Sequence, residues 1–188
     1  MKTLGILLSG RGSNFEAIAN AVSTGHLPAE IAVVISNRPE APGLQTAQAL
    51  GLNAVSLPSP GIDRADYDAQ LVALLQQNKV DLVCLAGFMR LLTPVMIQAF
   101  PNRIINIHPS LLPAFPGLHA QRQALQYGVK ITGCTVHYVI EEMDAGPILR
   151  QAAVPVLPGD TEEELTQRIL AAEHRIYVET LHDVLTKT

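Results

Sequence analysis

Charge, cysteine and long apolar runs are all scarce in this 188-residue chain, and each shortage excludes something. Charged residues fill 16% of the positions, and the formal net charge is −4 with 13 lysines and arginines. Nothing in that balance recruits a nucleic-acid backbone by bulk electrostatics, although a local site can still hold a small anion. The two cysteines, Cys84 and Cys134, sit in apolar runs and form no C-x-x-C pattern. Buried free thiols in a reducing compartment are expected, not a disulfide framework. No stretch approaches the ~18 consecutive apolar residues of a membrane span. The opening residues form a short apolar run that a Gly-rich turn follows, which reads as a first strand and not as a secretory signal. A cytoplasmic protein without membrane or nucleic-acid partners is expected. With no internal repeat, low-complexity tract or linker, residues 1–188 read as a single domain with a core of its own.

What is present is an alternation of apolar runs with helical periodicity. Residues 4–8, 31–35, 54–57, 80–86 and 104–107 read as strands, and 14–22, 43–50, 63–78 and 94–100 as helices. In the third helix Leu71, Leu74 and Leu75 give the i, i+3, i+4 spacing of an amphipathic face. Continuously apolar strands alternating with helices predict a Rossmann-like, doubly wound α/β fold with a mostly parallel sheet and helices on both faces. Residues 131–139 and 147–156 then read as two long strands around an acidic loop, an antiparallel C-terminal addition. A last helix runs from an N-cap at Thr161, followed by three glutamates, to about residue 185. Ligands of such sheets bind beyond the carboxyl ends of the strands.

Two strand ends carry polar motifs. Ser9-Gly10-Arg11-Gly12-Ser13-Asn14 joins the first strand to the first helix, where glycines and free N–H groups suit a phosphate. Phe15 stands where a dinucleotide fingerprint needs its third glycine, the second strand ends in Ser36-Asn37 with no acid, and the P-loop lysine is missing. A mononucleotide-type phosphate site or a plain Gly-rich turn remain. In Asn106-Ile107-His108-Pro109, alternation puts Asn106 and His108 on one face at the strand's carboxyl end. An amide donor beside an imidazole suits a tetrahedral oxyanion, while a histidine satisfied by the backbone is the plainer alternative.

The other candidates are less distinctive alone. Glu141, Glu142 and Asp144 form an acidic turn that reads as solvated, unless one carboxylate pairs with His108 and favours its protonated form. Glu173-His174 in the last helix reads as surface charge, and only one of the two can face a given site. Arg64 opens the long central helix, and Met89-Arg90-Leu91-Leu92 follows the most apolar strand. There the arginine could meet an anion and the leucines line an apolar pocket or pack.

Taken together, residues 8–14, 85–90, 106–113, 116–119, 133–137 and 144–147 resemble the phosphoribosylglycinamide formyltransferases, a branch of the formyltransferase-fold family, over essentially the whole chain. The resemblance implies formyl transfer from 10-formyltetrahydrofolate to the amine of glycinamide ribonucleotide in purine synthesis. It implies a catalytic trio of Asn106, His108 and Asp144, with Gly12, Ser13, Asn14 and Glu173 on the ribonucleotide. It implies a folate site from Arg64, Met89, Arg90, Leu91, Leu92, Asn106, Ile140, Glu141, Glu142, Met143 and Asp144. Neither a metal nor a covalent enzyme intermediate is implied, and a monomer or homodimer is expected. Two positions depart from some relatives: Leu170 replaces a polar residue near the ribonucleotide, and Ala114 a lysine. The alternatives are a formyltetrahydrofolate deformylase, whose extra N-terminal domain is not expected ahead of a strand starting near residue 3, and a non-catalytic phosphoribosyl-ligand module.

Overall fold

The computed structural model describes residues 1–186. Seven strands form one sheet: β1 (Lys2–Leu8), β2 (Ala29–Ser36), β3 (Ala54–Ser56), β4 (Leu82–Leu85), β5 (Ile104–His108), β6 (Ile131–Tyr138) and β7 (Ile148–Pro155). Between them lie α1 (Ser13–Ser23), α2 (Pro42–Ala49), α3 (Arg64–Gln77), α4 (Pro94–Ala99) and α5 (Ala120–Tyr127), and α6 (Glu162–Thr186) closes the chain. The strand order is β3-β2-β1-β4-β5-β6-β7. Every pair from β3 across to β5 is parallel, whereas β6 is antiparallel to both β5 and β7. The antiparallel addition is therefore one reversed strand, and β7 resumes the common direction.

Alternation along the strands divides the interior in two. Leu4, Ile6 and Leu8 of β1 pack with Phe15 and Ile18 of α1, Leu44 of α2 and Ile169 and Ile176 of α6. Leu7 faces the other way, with Val33 and Val83, against Tyr67, Leu71 and Leu75 of α3 and Met96 of α4. Both faces of the sheet are covered at its centre, which is why β1 and β4 are almost continuously apolar and buried, whereas β7 at the edge is largely exposed.

After β1 the chain winds outward through β2 and β3, then returns to place β4 on the other side of β1. That reversal opens a crevice at the carboxyl ends of β1 and β4. Ser9 ties its walls together: its N–H donates to Gly87 O at 3.1 Å, and its hydroxyl accepts from Met89 N at 2.8 Å and donates to Asn37 Oδ1. On the far side, the fully buried Tyr177 of α6 sets its hydroxyl 3.0 Å from the carbonyls of Leu85 and Ile105.

The N-cap at Thr161 is a capping box: Thr161 Oγ1 accepts from Glu164 N at 3.2 Å while Glu164 Oε2 accepts from Thr161 N at 2.8 Å. Both cysteines are buried and free, and burial pushes their thiols up to about 12, so neither is a thiolate at neutral pH. Helix α5 escapes sequence reading because its buried residues are only the two alanines Ala120 and Ala124, too small to mark an apolar stripe.

The β6–β7 pairing leaves no room for a side chain at Gly133, where a Cβ would lie 1.9 Å from the Ala152 carbonyl oxygen. Gly133→Ala should destabilise the fold by about 2–3 kcal/mol through forced separation of the strands. Urea denaturation would measure this, and an unchanged midpoint would contradict it.

Candidate functional site

Backbone conformation builds the first part of the site. Gly12 precedes α1 with φ 74°, a left-handed geometry that glycine adopts without strain. The loop is pinned from outside by Gly43 N, which donates to Gly10 O at 3.0 Å. No side chain caps α1. The first N–H groups of a helix have no partner within it, so those of Ser13 and Asn14 present donors and the positive end of the helix dipole at the crevice.

Beside this loop lies a buried polar pair. Asn14 Nδ2 donates to Glu173 Oε2 at 2.9 Å, and Asn14 Oδ1 is buried without a partner among the described residues. Glu173 is 4% exposed, which overturns its reading as surface charge. Packing of α6 across α1 buries it, while its neighbour His174 stays partly exposed. Burial raises the Glu173 carboxyl to about 7, with the Asn14 hydrogen bond acting in the opposite direction.

The second part is assembled by β5, β6 and the loops that follow them. Asn106 and His108 do emerge together at the carboxyl end of β5, and His108 is buried. His108 Nε2 lies 2.9 Å from the Phe115 carbonyl, which can only accept, so Nε2 carries the hydrogen. Nδ1 then faces Asp144 Oδ2 at 3.5 Å. An acceptor oxygen therefore lies near each ring nitrogen.

Asp144 has φ 53° and Phe115 φ 51°, left-handed geometries that side chains rarely adopt. Both strained residues point a polar group at His108, and strain of this kind clusters at functional sites. Asp144 Oδ2 also accepts from Gly117 N at 2.8 Å, which ties the acidic loop to the loop after β5. Of the three acidic residues in that turn, Glu141 and Glu142 are exposed as a solvated loop predicts, and Asp144 alone turns inward.

Sequence reading gave no role to His137, although it sits at the centre of this group. His137 is 2% exposed, with Nε2 3.3 Å from Asn106 Nδ2 and 3.9 Å from Asp144 Oδ1. Its Nδ1 lies 2.9 Å from the Tyr138 carbonyl. Burial lowers its proton affinity, opposed by the Tyr138 carbonyl and by Asp144. The available signal was the alternation of Thr135 and His137 on β6, the same period that marked Asn106 and His108.

The third part is apolar. Arg64 is exposed on the first turn of α3. One turn later Tyr67 receives the Arg90 guanidinium over its ring at 4.3 Å, and Arg90 Nε is buried without a hydrogen-bond partner among the described residues. Asp68 accepts from Thr93 N at 2.6 Å, which holds the 89–92 segment against α3. Met89, Leu91, Leu118 and Met143 are each half or more exposed, whereas Leu92 packs on the core beneath α3. Ile140 is also exposed. These exposed side chains lie on the segment after β4, the loop after β5 and the acidic loop. No group of three or more His, Cys, Asp or Glu side chains placed to hold a metal ion occurs among the described residues.

Residues 2–181 match the family described as Formyl transferase. The glycinamide ribonucleotide transformylase 1 of Symbiobacterium toebii has a structure that superposes with TM-score 0.95 at 55% identity, over 97% of this chain and 86% of that one. The phosphoribosylglycinamide formyltransferase of Escherichia coli K12 is 43% identical over 92% of this chain and 82% of its own length. The trifunctional purine biosynthetic protein adenosine-3 of Drosophila melanogaster is 48% identical over 92% of this chain, which spans only 13% of that longer protein.

The buried acid gives a pH prediction. Folded, Glu173 holds its proton up to about pH 7, whereas the unfolded chain releases it near 4.5. Across that window the folded state binds more protons, so this group's contribution to stability falls as pH rises from 4.5 to 7 and is flat beyond. Glu173→Gln, which still accepts from Asn14, should match the parent near pH 4.5 and exceed it by about 3 kcal/mol at pH 8. Chemical denaturation of both proteins at the two pH values measures the difference, and a constant difference would contradict the assignment.

Proposed function

The chain belongs to the formyl transferase family, and from that premise we propose that it moves the formyl group of 10-formyltetrahydrofolate to the amine of glycinamide ribonucleotide. The observation that carries this reading is the gathering of Asn106, His108 and Asp144 at the end of the sheet that also carries the uncapped start of α1 and the 89–92 segment. A phosphorylated acceptor and a large planar donor could meet at that end of the sheet.

Gly12, Ser13 and Asn14 hold the acceptor's phosphate through backbone N–H groups and the α1 dipole. Glu173, fixed by Asn14, takes the hydroxyl or amine groups of the ribosyl-glycinamide part. Arg64, Met89 to Leu92 and the loop from Ile140 to Asp144 hold the folate. Exposed Met89, Leu91 and Met143 supply apolar contact, and Arg64 and Arg90 supply positive charge for carboxylates.

In the reaction, the neutral amine of the ribonucleotide attacks the formyl carbon, forming the new C–N bond and leaving negative charge on the formyl oxygen. Asn106 Nδ2 and His108 Nδ1 donate to that oxyanion; Nδ1 is the nitrogen available, because Nε2 is taken by Phe115. Asp144, 3.5 Å from Nδ1, balances the imidazolium charge and accepts hydrogen bonds from water that carries the proton off the amine. The oxyanion then collapses, the bond from carbon to N10 breaks, and N10 leaves with that proton as tetrahydrofolate. Neither thiol takes part, since both are buried and protonated. One cytoplasmic domain acting on two small molecules completes the proposal.

The test is release of tetrahydrofolate from 10-formyltetrahydrofolate with and without glycinamide ribonucleotide. Release that requires the amine is expected; release in its absence identifies attack by water, and no release in either case refutes an enzyme. His108→Ala should lower kcat by about 10²–10⁴-fold and leave ribonucleotide affinity, measured by calorimetry, near that of the parent. Near-normal turnover in that variant would remove His108 from the mechanism.

A further inference from the structure

Three groups surround the space beside Asn106: His108 Nδ1, the Asp144 carboxylate and His137 Nε2. The mechanism above uses the first two, and His137 is left buried among them. The choice that matters at Asn106 is which end of its carboxamide faces this space. The nitrogen donates to an oxyanion, and the oxygen repels one.

The state of His137 follows from its partners. The Tyr138 carbonyl 2.9 Å from Nδ1 only accepts, so Nδ1 carries a hydrogen. A buried ring that already donates from Nδ1 avoids a second proton, because a charge there would lose its hydration. Nε2 is then a bare acceptor 3.3 Å from Asn106, and only the Nδ2 end of the carboxamide can satisfy it. We propose that His137 is a positioning residue: its unprotonated Nε2 holds the Asn106 carboxamide with Nδ2 toward the reacting oxygen. The inference rests on the transferase reading for the identity of that oxygen, but the His137–Asn106 contact itself does not.

A pH dependence follows from the same geometry. Protonated, Nε2 becomes a donor that matches the carboxamide oxygen, and Asn106 turns its wrong end to the substrate. The groups that face the ring pull in both directions: burial and His108 oppose the second proton, while Asp144 Oδ1 at 3.9 Å favours it. Burial is the largest of these influences, so the turn falls on the acidic side of the ordinary histidine range.

His137→Gln and His137→Leu separate positioning from packing, because a glutamine oxygen can take the place of Nε2 and accept from Asn106, whereas leucine fills the space without an acceptor. Formyl transfer by the full chain and both variants would be followed from about pH 5 to about pH 9. Expected for His137→Leu is a fall in kcat of at least about tenfold with KM for both substrates little changed, the pattern of a lost transition-state interaction. His137→Gln should recover most of that loss and lack the acidic decline that His137 causes in the parent. A leucine variant with parental kcat, or a glutamine variant as slow as the leucine one while binding the ribonucleotide normally, would overturn the proposal.

Nitrogen NMR of the parent provides a readout independent of turnover and of variant folding. An unprotonated Nε2 at neutral pH is expected, and a proton found there would overturn the assignment. If the parent transfers no formyl group, the functional reading fails by itself, and the NMR result still decides the His137–Asn106 contact.

Discussion

Because β6 runs antiparallel to β5 with His137 opposite Asn106 and Thr135 opposite His108, two adjacent strands deliver four polar side chains to one face of the sheet. The geometry around His108 depends on this register. Thr135 Oγ1 donates to Ser110 O at 2.7 Å and accepts from Leu112 N at 3.1 Å, so β6 also shapes the loop that leaves β5. That loop carries the Phe115 carbonyl back to His108. Beyond Tyr138 the chain turns through Gly146, where a Cβ would lie 1.8 Å from the Tyr138 carbonyl oxygen, and this tight return sets Asp144 over the same histidine. A slip of one residue in the pairing would send His137 and Thr135 to the opposite face and dissolve the arrangement.

Buried polar groups are costly unless each has a partner, and this molecule confines most of them to one end of the sheet. Below the strand ends both core halves are almost wholly apolar. At the carboxyl ends Ser9, Asn14, His108, His137 and Glu173 are all buried. Their partners satisfy them incompletely: Asn14 Oδ1 and Arg90 Nε remain without hydrogen bonds among the described residues. The apolar cores and the Tyr177 contact to β4 and β5 supply the stability against which this polar end is held.

Much of this was legible in the residues. Continuous apolar strands announced a covered parallel sheet, and two-residue alternation alone put Asn106 and His108 side by side. Glu173 was not legible, because its burial comes from α6 crossing α1, and no local pattern reports a contact between residues 14 and 173. Resemblance to a family supplied its role instead. Asp144 was ambiguous for a related reason: three acids in a turn look alike until a left-handed backbone aims one of them. His137 stood on a strand with the right period, but its meaning requires the pairing of β6 with β5. Helix α5 was missed because alanine contacts leave almost no periodic signal.

The same contrast between local and long-range information explains how the proposed substrates are kept apart. In the proposed complex the phosphate would meet backbone N–H groups and a helix dipole that the Gly-rich turn supplies. In the proposed complex the folate would meet side chains of α3, the 89–92 segment and the acidic loop, the first two held together by tertiary packing through Asp68, Thr93 and the Arg90–Tyr67 contact. The group around His108 draws its members from β5, β6 and the acidic loop. Rigid strands are the right source for Asn106, His108 and His137, since an oxyanion donor misplaced by a fraction of an ångström loses much of its effect. Asp144 is the exception, carried on a loop. A carboxylate that balances charge and passes protons through water needs less exact aim than a donor pointed at a single oxygen, so in the proposed mechanism the loop would supply the least directional role.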